Sequence, residues 1–328
     1  LTPIGMYHYM KNIMDSKIFP KFLSRIGHRS ELTTWASELH EDVIGIHLPW
    51  FYSIHLSKGL PIFLVKDKEK LIHRFEFQPI DKLLRMRQRV GDEWKDIPFN
   101  ATYINYNITN DKFLETPEMY AKMSLIEKTE EQDMRCEIAE KNNTYFRFID
   151  DFIVIPSSEE FSEGQAGTIG LNHDAPCKAI SFCAINTQAH KYNNYSNFTD
   201  NTSDPLKGNS PIVNYSLQYG DGIRIPETSL FVNDMDTFTI LPSNFEVNGL
   251  STHCFDLQPN MISACSGPVF RGLNAIFKVH FRDPKVEEHI QRYTLVVILW
   301  VTKKLIFKAD ERDSSTFRLF VEPEITLK

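Results

Sequence analysis

No stretch of this chain is long and apolar enough to cross a bilayer as a helix. The longest uninterrupted apolar run, residues 295–301, is seven residues, against the roughly 20 that a spanning helix requires. It reads as a buried strand. Positive charge is also short: 36 Lys and Arg stand against 43 Asp and Glu, a net charge of −7. A nucleic-acid binder normally presents a basic face, so that class is disfavoured. The basic residues Arg85, Arg87 and Arg89 read as a solvated edge. Cysteine is sparse and odd in number, five in all, with no C-x-x-C. That pattern supports neither a disulfide framework nor a zinc ribbon, and unpaired thiols in a reducing compartment are the simplest reading.

The chemistry-bearing motifs are missing too. There is no G-x-S-x-G elbow, no G-x-x-x-x-G-K loop and no H-E-x-x-H pair. None of the 11 histidines forms the H-x-H pair that a cupin-type metal strand needs. His40, His47 and His55 lie seven and eight residues apart, so only the fold could gather them. Gly164, Gly167 and Gly170 do not make the G-x-G-x-x-G phosphate fingerprint and read as a loop turning into a strand at Leu171. Asp150-Asp151 and Glu159-Glu160 are adjacent acids, but neighbours on a strand point to opposite faces. The expectation is no catalytic activity, no cofactor and no required metal, with calcium on an acidic loop left open.

What the chain does have is period-two alternation. Residues 277–282 alternate apolar and polar strictly, the mark of a strand with one buried face. Residues 44–52, 60–65, 71–77, 145–155 and 317–321 read as further strands. Gly220-Asp221-Gly222 separates two such runs, with Asp-Gly supplying the positive φ of a tight hairpin. Helices are few: Thr116-Pro117-Glu118 predicts one over residues 119–128, and Asp283-Pro284 another carrying Val286 and Ile290. Residues 193–210 read as a long polar loop, and residues 90–98, lacking periodicity, as a domain junction. At 328 residues, two domains or one and a part of another are expected. Many strands, few helices and long loops indicate an antiparallel sandwich or jelly roll.

Several motifs resemble a known family. Leu48-Pro49-Trp50-Phe51-Tyr52, followed by Gly59-Leu60-Pro61-Ile62, resembles the "LPFWF" and "GLALPL" strands of major capsid proteins of nucleocytoplasmic large DNA viruses. Arg25-Ile26-Gly27 with Leu32-Thr33 is similar to the "MIG…LT" stretch that leads into them. Asn172-His173 and Pro176-Cys177 resemble the "NHPVKELVW" strand of the second barrel. Phe255-Asp256-Leu257-Gln258-Pro259, then Ser266-Gly267, resembles "FAL-P…PSG". There are departures: Asp174-Ala175 is inserted before Pro176, the tryptophan is missing, and Cys265 replaces the "PSG" proline. The pattern is that of a distant member, or of a paralogue with a modified role.

The resemblance implies an all-β double jelly roll, two eight-stranded antiparallel sandwiches side by side, with three copies forming a pseudo-hexagonal capsomer. Residues 1–95 would be the C-terminal part of the first jelly roll, incomplete in this chain, and residues 96–328 the second. It follows that one to two hundred residues are expected upstream of Leu1, and that residues 1–95 are not expected to fold alone. The implied function is a virion shell protein, made late and assembled in the host cytoplasm. Its partners would be itself as a homotrimer, neighbouring capsomers, penton and minor capsid proteins and, indirectly, an internal membrane. The alternatives are a scaffold or minor capsid protein of the same fold, or a glycan-binding attachment jelly roll. Pro49, Trp50, Phe51, Tyr52, Gly59, Leu60, Pro61, His173, Pro176, Gln258, Pro259, Ser266 and Gly267 are then packing residues. Seven Asn-x-Ser/Thr sequons occur; Asn107, Asn194, Asn197 and Asn201 are the candidate glycosylation sites.

The thiol reading has a direct check. Alkylation of denatured, unreduced protein is expected to label all five cysteines by mass spectrometry; a missing pair would mean a disulfide.

Overall fold

The computed structural model describes residues 78–100, 125–140, 144–202, 208–220, 222–241, 248–257, 267–284, 290–310 and 313–322. Shorter pieces lie at 10, 12–14, 35, 44–46, 48, 59–64, 76, 102, 118–121, 123 and 259.

The chain is built from antiparallel strands. β1 (Met86–Val90) and β2 (Glu93–Ile97) form a separate hairpin. The remaining strands are β3 (Thr144–Ser162), β4 (Ala166–Leu171), β5 (Cys177–Asn186), β6 (Ile212–Tyr219), β7 (Gly222–Ser229), β8 (Leu250–Cys254), β9 (Ala275–Phe281), β10 (Arg292–Asp310) and β11 (Asp313–Glu322). β3, β10, β5 and β8 lie side by side in one sheet, and β4, β9, β6 and β7 in the other. Apart from the β6–β7 hairpin, which stays in one sheet, successive strands from β3 to β10 alternate between sheets and return across the barrel, the double Greek key of an eight-stranded jelly roll. β11 extends the first sheet beyond β5, beside the far half of β10.

Alternation puts the core between the sheets. Leu295, Val297, Leu299 and Val301 of β10 meet Ile180 and Phe182 of β5 and, from the facing sheet, Leu217, Phe277 and Val279. Phe182 packs against Tyr215 and Phe277 with both ring centroids at 4.9 Å. Each such side chain contributes on the order of 2 kcal/mol through burial.

The strands expected at 145–155, 277–282 and 317–321 are present inside β3, β9 and β11. The β6–β7 hairpin also forms, with φ +60° at Gly220, while Gly222 already pairs with Tyr219 and so belongs to the strand. Other expectations change. Residues 62–64 form a 3-10 turn, since Pro61 sets its first φ and its carbonyl accepts from Leu64 N at 2.9 Å. Among residues 44–52, those described (44–46 and 48) are irregular, and residues 71–77 lie almost wholly outside the described set. Residues 90–98, read as lacking periodicity, include most of the β1–β2 hairpin, turned at Gly91 (φ +66°). Its alternation is charged rather than apolar, so a hydrophobicity pattern misses it.

Helices shift as well. The helix expected over 119–128 instead spans Lys128–Glu140 (α1), where Glu130 and Glu131 complement the positive end of the helix dipole. A second helix, α2 (Leu230–Ile240), was not expected; Ser229 caps it by accepting from Val232 N. The helix expected after Asp283-Pro284 falls mostly on residues 285–289, outside the described set. Gly164, with φ +74°, makes the β3–β4 turn, but Gly167 and Gly170 lie within β4 rather than in a loop.

Gly249 supports a strong prediction. It has φ +84°, and a Cβ there would sit 1.8 Å from the Phe198 carbonyl oxygen. Gly249→Ala is expected to cost about 2–4 kcal/mol in urea unfolding, whereas Gly170→Ala, which meets open space, should stay within about 0.5 kcal/mol.

Candidate functional site

The two sheets differ on their outer faces. β4-β9-β6-β7 turns Thr168, Lys278, His280, Ser216 and Gln218 outward, all at least partly exposed. Glu227 there accepts from Asn214 Nδ2 at 3.2 Å and approaches His280 Nε2 at 3.7 Å. That is a solvated face. The other sheet is the reverse: every residue of β5 is buried, on both faces. Its outer face carries Ala179, Ser181 and Cys183 on β5, Val296, Ile298, Trp300 and Thr302 on β10, and Leu250 and Thr252 on β8, all buried. This clad face is the candidate functional surface.

Among the described residues, three pieces of chain cover it. Phe198, from the long loop after β5, packs on Cys183, Ile185, Leu250, Val296 and Ile298. Leu241, at the end of α2, and Ile13 pack on Ala179 and Trp300. Asn12, 0% exposed, brings polar atoms into the layer. Its Nδ2 donates to Ser181 Oγ at 3.2 Å, and Thr252 Oγ1 donates to its Oδ1 at 3.2 Å. Ser181 Oγ and Thr252 Oγ1 close the triangle at 2.7 Å. Buried polar groups are tolerated only when paired in this way.

The network continues into the barrel. The Thr252 carbonyl accepts from Asn233 Nδ2 at 2.8 Å and Thr237 Oγ1 at 2.6 Å, both from α2. That fixes the Asn233 amide, so its Oδ1 accepts from Tyr215 OH at 2.7 Å. The tyrosine proton is thereby used, and His253 Nδ1, 2.9 Å from the same oxygen, must be the donor. Burial pushes the His253 pKa down to about 4 and the Cys254 thiol up to about 12, the latter aided by Asp256. Burial, then Asp236 and Asp234, also raises Tyr215. All three groups stay neutral at ordinary pH.

A fully buried ion pair lies within the clad sheet. A bulge at Trp300/Val301 leaves Lys178 as an extra residue. Its Nζ reaches Asp150 Oδ1 at 2.9 Å, with the two side chains 1% and 3% exposed. It also donates to the Pro259 carbonyl at 3.0 Å and lies 5.6 Å over the Trp300 ring. Asp151 points to the other face, toward Lys303. The adjacent acids are therefore structural, each with its own lysine.

The motif residues sort accordingly. Pro259 holds the buried lysine. At the end of the barrel, His173 Nδ1 accepts from Ala175 N at 2.9 Å, and the Pro176 carbonyl accepts from Thr302 N at 3.0 Å. Gly267 precedes Pro268, whose carbonyl accepts from Cys177 N at 2.9 Å. The Gly59 carbonyl accepts from Arg147 Nη1 at 2.9 Å, while Leu60 and Leu64 pack on Ile138, Ile149, Leu305 and Phe307. Pro61 carries the 3-10 turn described above. Pro49, Trp50, Phe51, Tyr52, Gln258, Ser266 and Asn107 lie outside the described residues.

Two candidate glycosylation sites are engaged in structure. Asn194 and Asn197 are buried, and their Nδ2 atoms donate to the carbonyls of Thr202 (3.1 Å) and Asn201 (2.6 Å). Neither nitrogen is available in the folded chain. Asn201 is half-buried, with its carbonyl in that network. The basic edge is also tied down: Arg85 and Arg87 bind the two oxygens of Asp96 at 2.8 and 2.6 Å, and Arg87 lies 4.1 Å over the Trp35 ring. Among the described residues no group of three His, Cys, Asp or Glu could hold a metal.

Comparison with solved structures finds similarity to PBCV-1 VP54, as fitted into a cryo-EM reconstruction of the virophage Sputnik. The identity is 11% over 54% of this chain and 51% of that one, with a TM-score of 0.40. The Faustovirus major capsid protein aligns at 10% identity over 52% of this chain and 35% of that one, TM-score 0.39. The major capsid protein P2 from bacteriophage PM2 aligns at 8% over 48% and 45%, TM-score 0.28. The matches therefore span about half or less of each of these proteins. No family model matches the chain, and no curated protein matches it.

The neutral buried His253 predicts a pH dependence. Its folded pKa, about 4, lies below the ordinary 6.5. Its contribution is thus complete above pH 6.5 and is lost as pH falls toward 4, to a total of about 3 kcal/mol. Urea unfolding of wild type and His253→Gln at pH 7.5, 5.5 and 4.5 should show the gap between them change by that order.

Proposed function

We propose that this chain is a structural protein of a viral shell, a major capsid protein whose copies assemble in threes into pseudo-hexagonal capsomers. The observation that carries the reading is the asymmetry of the barrel. One sheet is solvated on its outer face and the other is clad, so the jelly roll is a middle layer rather than a free-standing sandwich. A free-standing sandwich turns polar residues outward from both sheets.

The motif resemblance supports the same reading. Residues 96–328 act as the second jelly roll and residues 1–95 as the later part of the first, whose elements include the β1–β2 hairpin. That hairpin straddles the proposed boundary and docks on the second barrel: Asn193 Nδ2 donates to the carbonyls of Asp81 and Leu84, just ahead of it, at 2.6 and 2.7 Å. Those of the singled-out residues that are described serve packing and hydrogen bonding, which supports a shell protein rather than an enzyme. Its partners are then its own copies, neighbouring capsomers, and penton and minor capsid proteins; its location is the virion.

Light scattering on the purified chain tests the reading. A mass of three times 38.1 kDa is expected; a stable monomer at micromolar concentration overturns it.

A further inference from the structure

Past residue 302 the strands β3, β10 and β11 run on beyond the barrel as a three-stranded blade. Its two faces differ in character. One carries Tyr145, Ile149, Leu305 and Phe307 and is covered by Ile138 of α1 and by Leu64. By alternation, the opposite face carries Phe146, Phe148, Lys304, Ile306 and Lys308. Phe146 is 48% exposed, Lys308 is exposed, and Lys304 Nζ lies 4.2 Å over the Phe146 ring. Ile306 on this face is buried, so its open part is the aromatic Phe146 with the two lysines, and it is positive.

The helix side has the complementary make-up. α1 contains five acidic and two basic residues, and Glu130 and Asp133 are exposed, as is Glu127 just before it. In the chain leading into the helix, Met119, Tyr120, Met123 and Leu125 are large apolar side chains left in water. Monomers seldom leave such a cluster uncovered without use. One blade therefore has a positive aromatic surface on one side, and on the other a negative helix led in by exposed apolar chain.

Complementary patches on opposite sides of one molecule associate head to tail, and such contacts make rings when the rotation closes. A twofold contact would instead set Lys308 against Lys308, or Glu130 against Glu130, which repels. We propose that the blade is a contact between copies: α1 with Met119, Tyr120, Met123 and Leu125 of one copy seats on the Phe146, Lys304 and Lys308 face of the next. The inference rests on the trimeric reading above and adds which surfaces meet.

Sedimentation equilibrium of the full chain tests it with four proteins: wild type, K304E/K308E, E130K/D133K, and all four changes together. Each reversed pair is expected to raise the trimer dissociation constant about tenfold or more, and the combination to restore it. Leu125→Ser should weaken the trimer without changing the thermal melt of the monomer. If wild type is trimeric and neither reversed pair moves the constant, or the combination fails to restore it, this contact is overturned while the trimer stands. A monomeric wild type overturns both.

Discussion

The structure depends on one strand being wet on neither side. β10 pairs with β3 along its whole length on one edge, and with β5 and then β11 on the other. Its central residues 295–301 are buried on both faces. A strand with one solvated face alternates polar and apolar residues; one covered twice is mostly apolar, and any polar side chain on it needs a partner inside the protein. The jelly-roll core accounts for half of that burial, through Leu295, Val297, Leu299 and Val301. The other half, through Val296, Ile298 and Trp300, requires a further layer.

That second layer is what makes the polar groups expensive and therefore ordered. Ser181 and Thr252 could hydrogen-bond to water on an open sheet. Beneath the cover they need Asn12, and the Thr252 carbonyl needs α2. Lys178 and Asp150 are similar: removing either would strand a buried charge, at a cost of about 3–5 kcal/mol. Specific partners of this kind fix how the covering segments sit, whereas an all-apolar layer would let them slide.

Much of the barrel was legible in the sequence because period two survives wherever one face meets water. β9 and the β6–β7 hairpin are the clearest cases. What escaped has identifiable causes. Among the described side chains, the buried stripe of α2 and its cap runs through Leu230, Asn233, Thr237 and Leu241, two of them polar, which weakens the hydrophobic period there. Ser229 was the one local signal. The β1–β2 hairpin is held by Arg85 and Arg87 on Asp96, and charged strands of that kind read as loop. At residues 60–65 the apolar run suggested a strand, but Pro61 favours a turn, and burial of Leu64 beneath α1 rewards it.

By itself, then, the sequence determined strand character, a hairpin between the β6 and β7 runs and the buried strand at residues 295–301, because each depends on residues near one another in the chain. It also determined that no catalytic motif is spelled out locally. Only the tertiary structure decided the roles of the singled-out residues. Pro259 became the acceptor for a lysine 81 positions away, and Asn12 the partner of Thr252 across 240 positions. Asn194 and Asn197 became buried donors rather than surface sequons. Hydrogen-bond demand is set by burial, and burial is a property of the packed chain; a polar residue carries no local sign of which carbonyl it will meet.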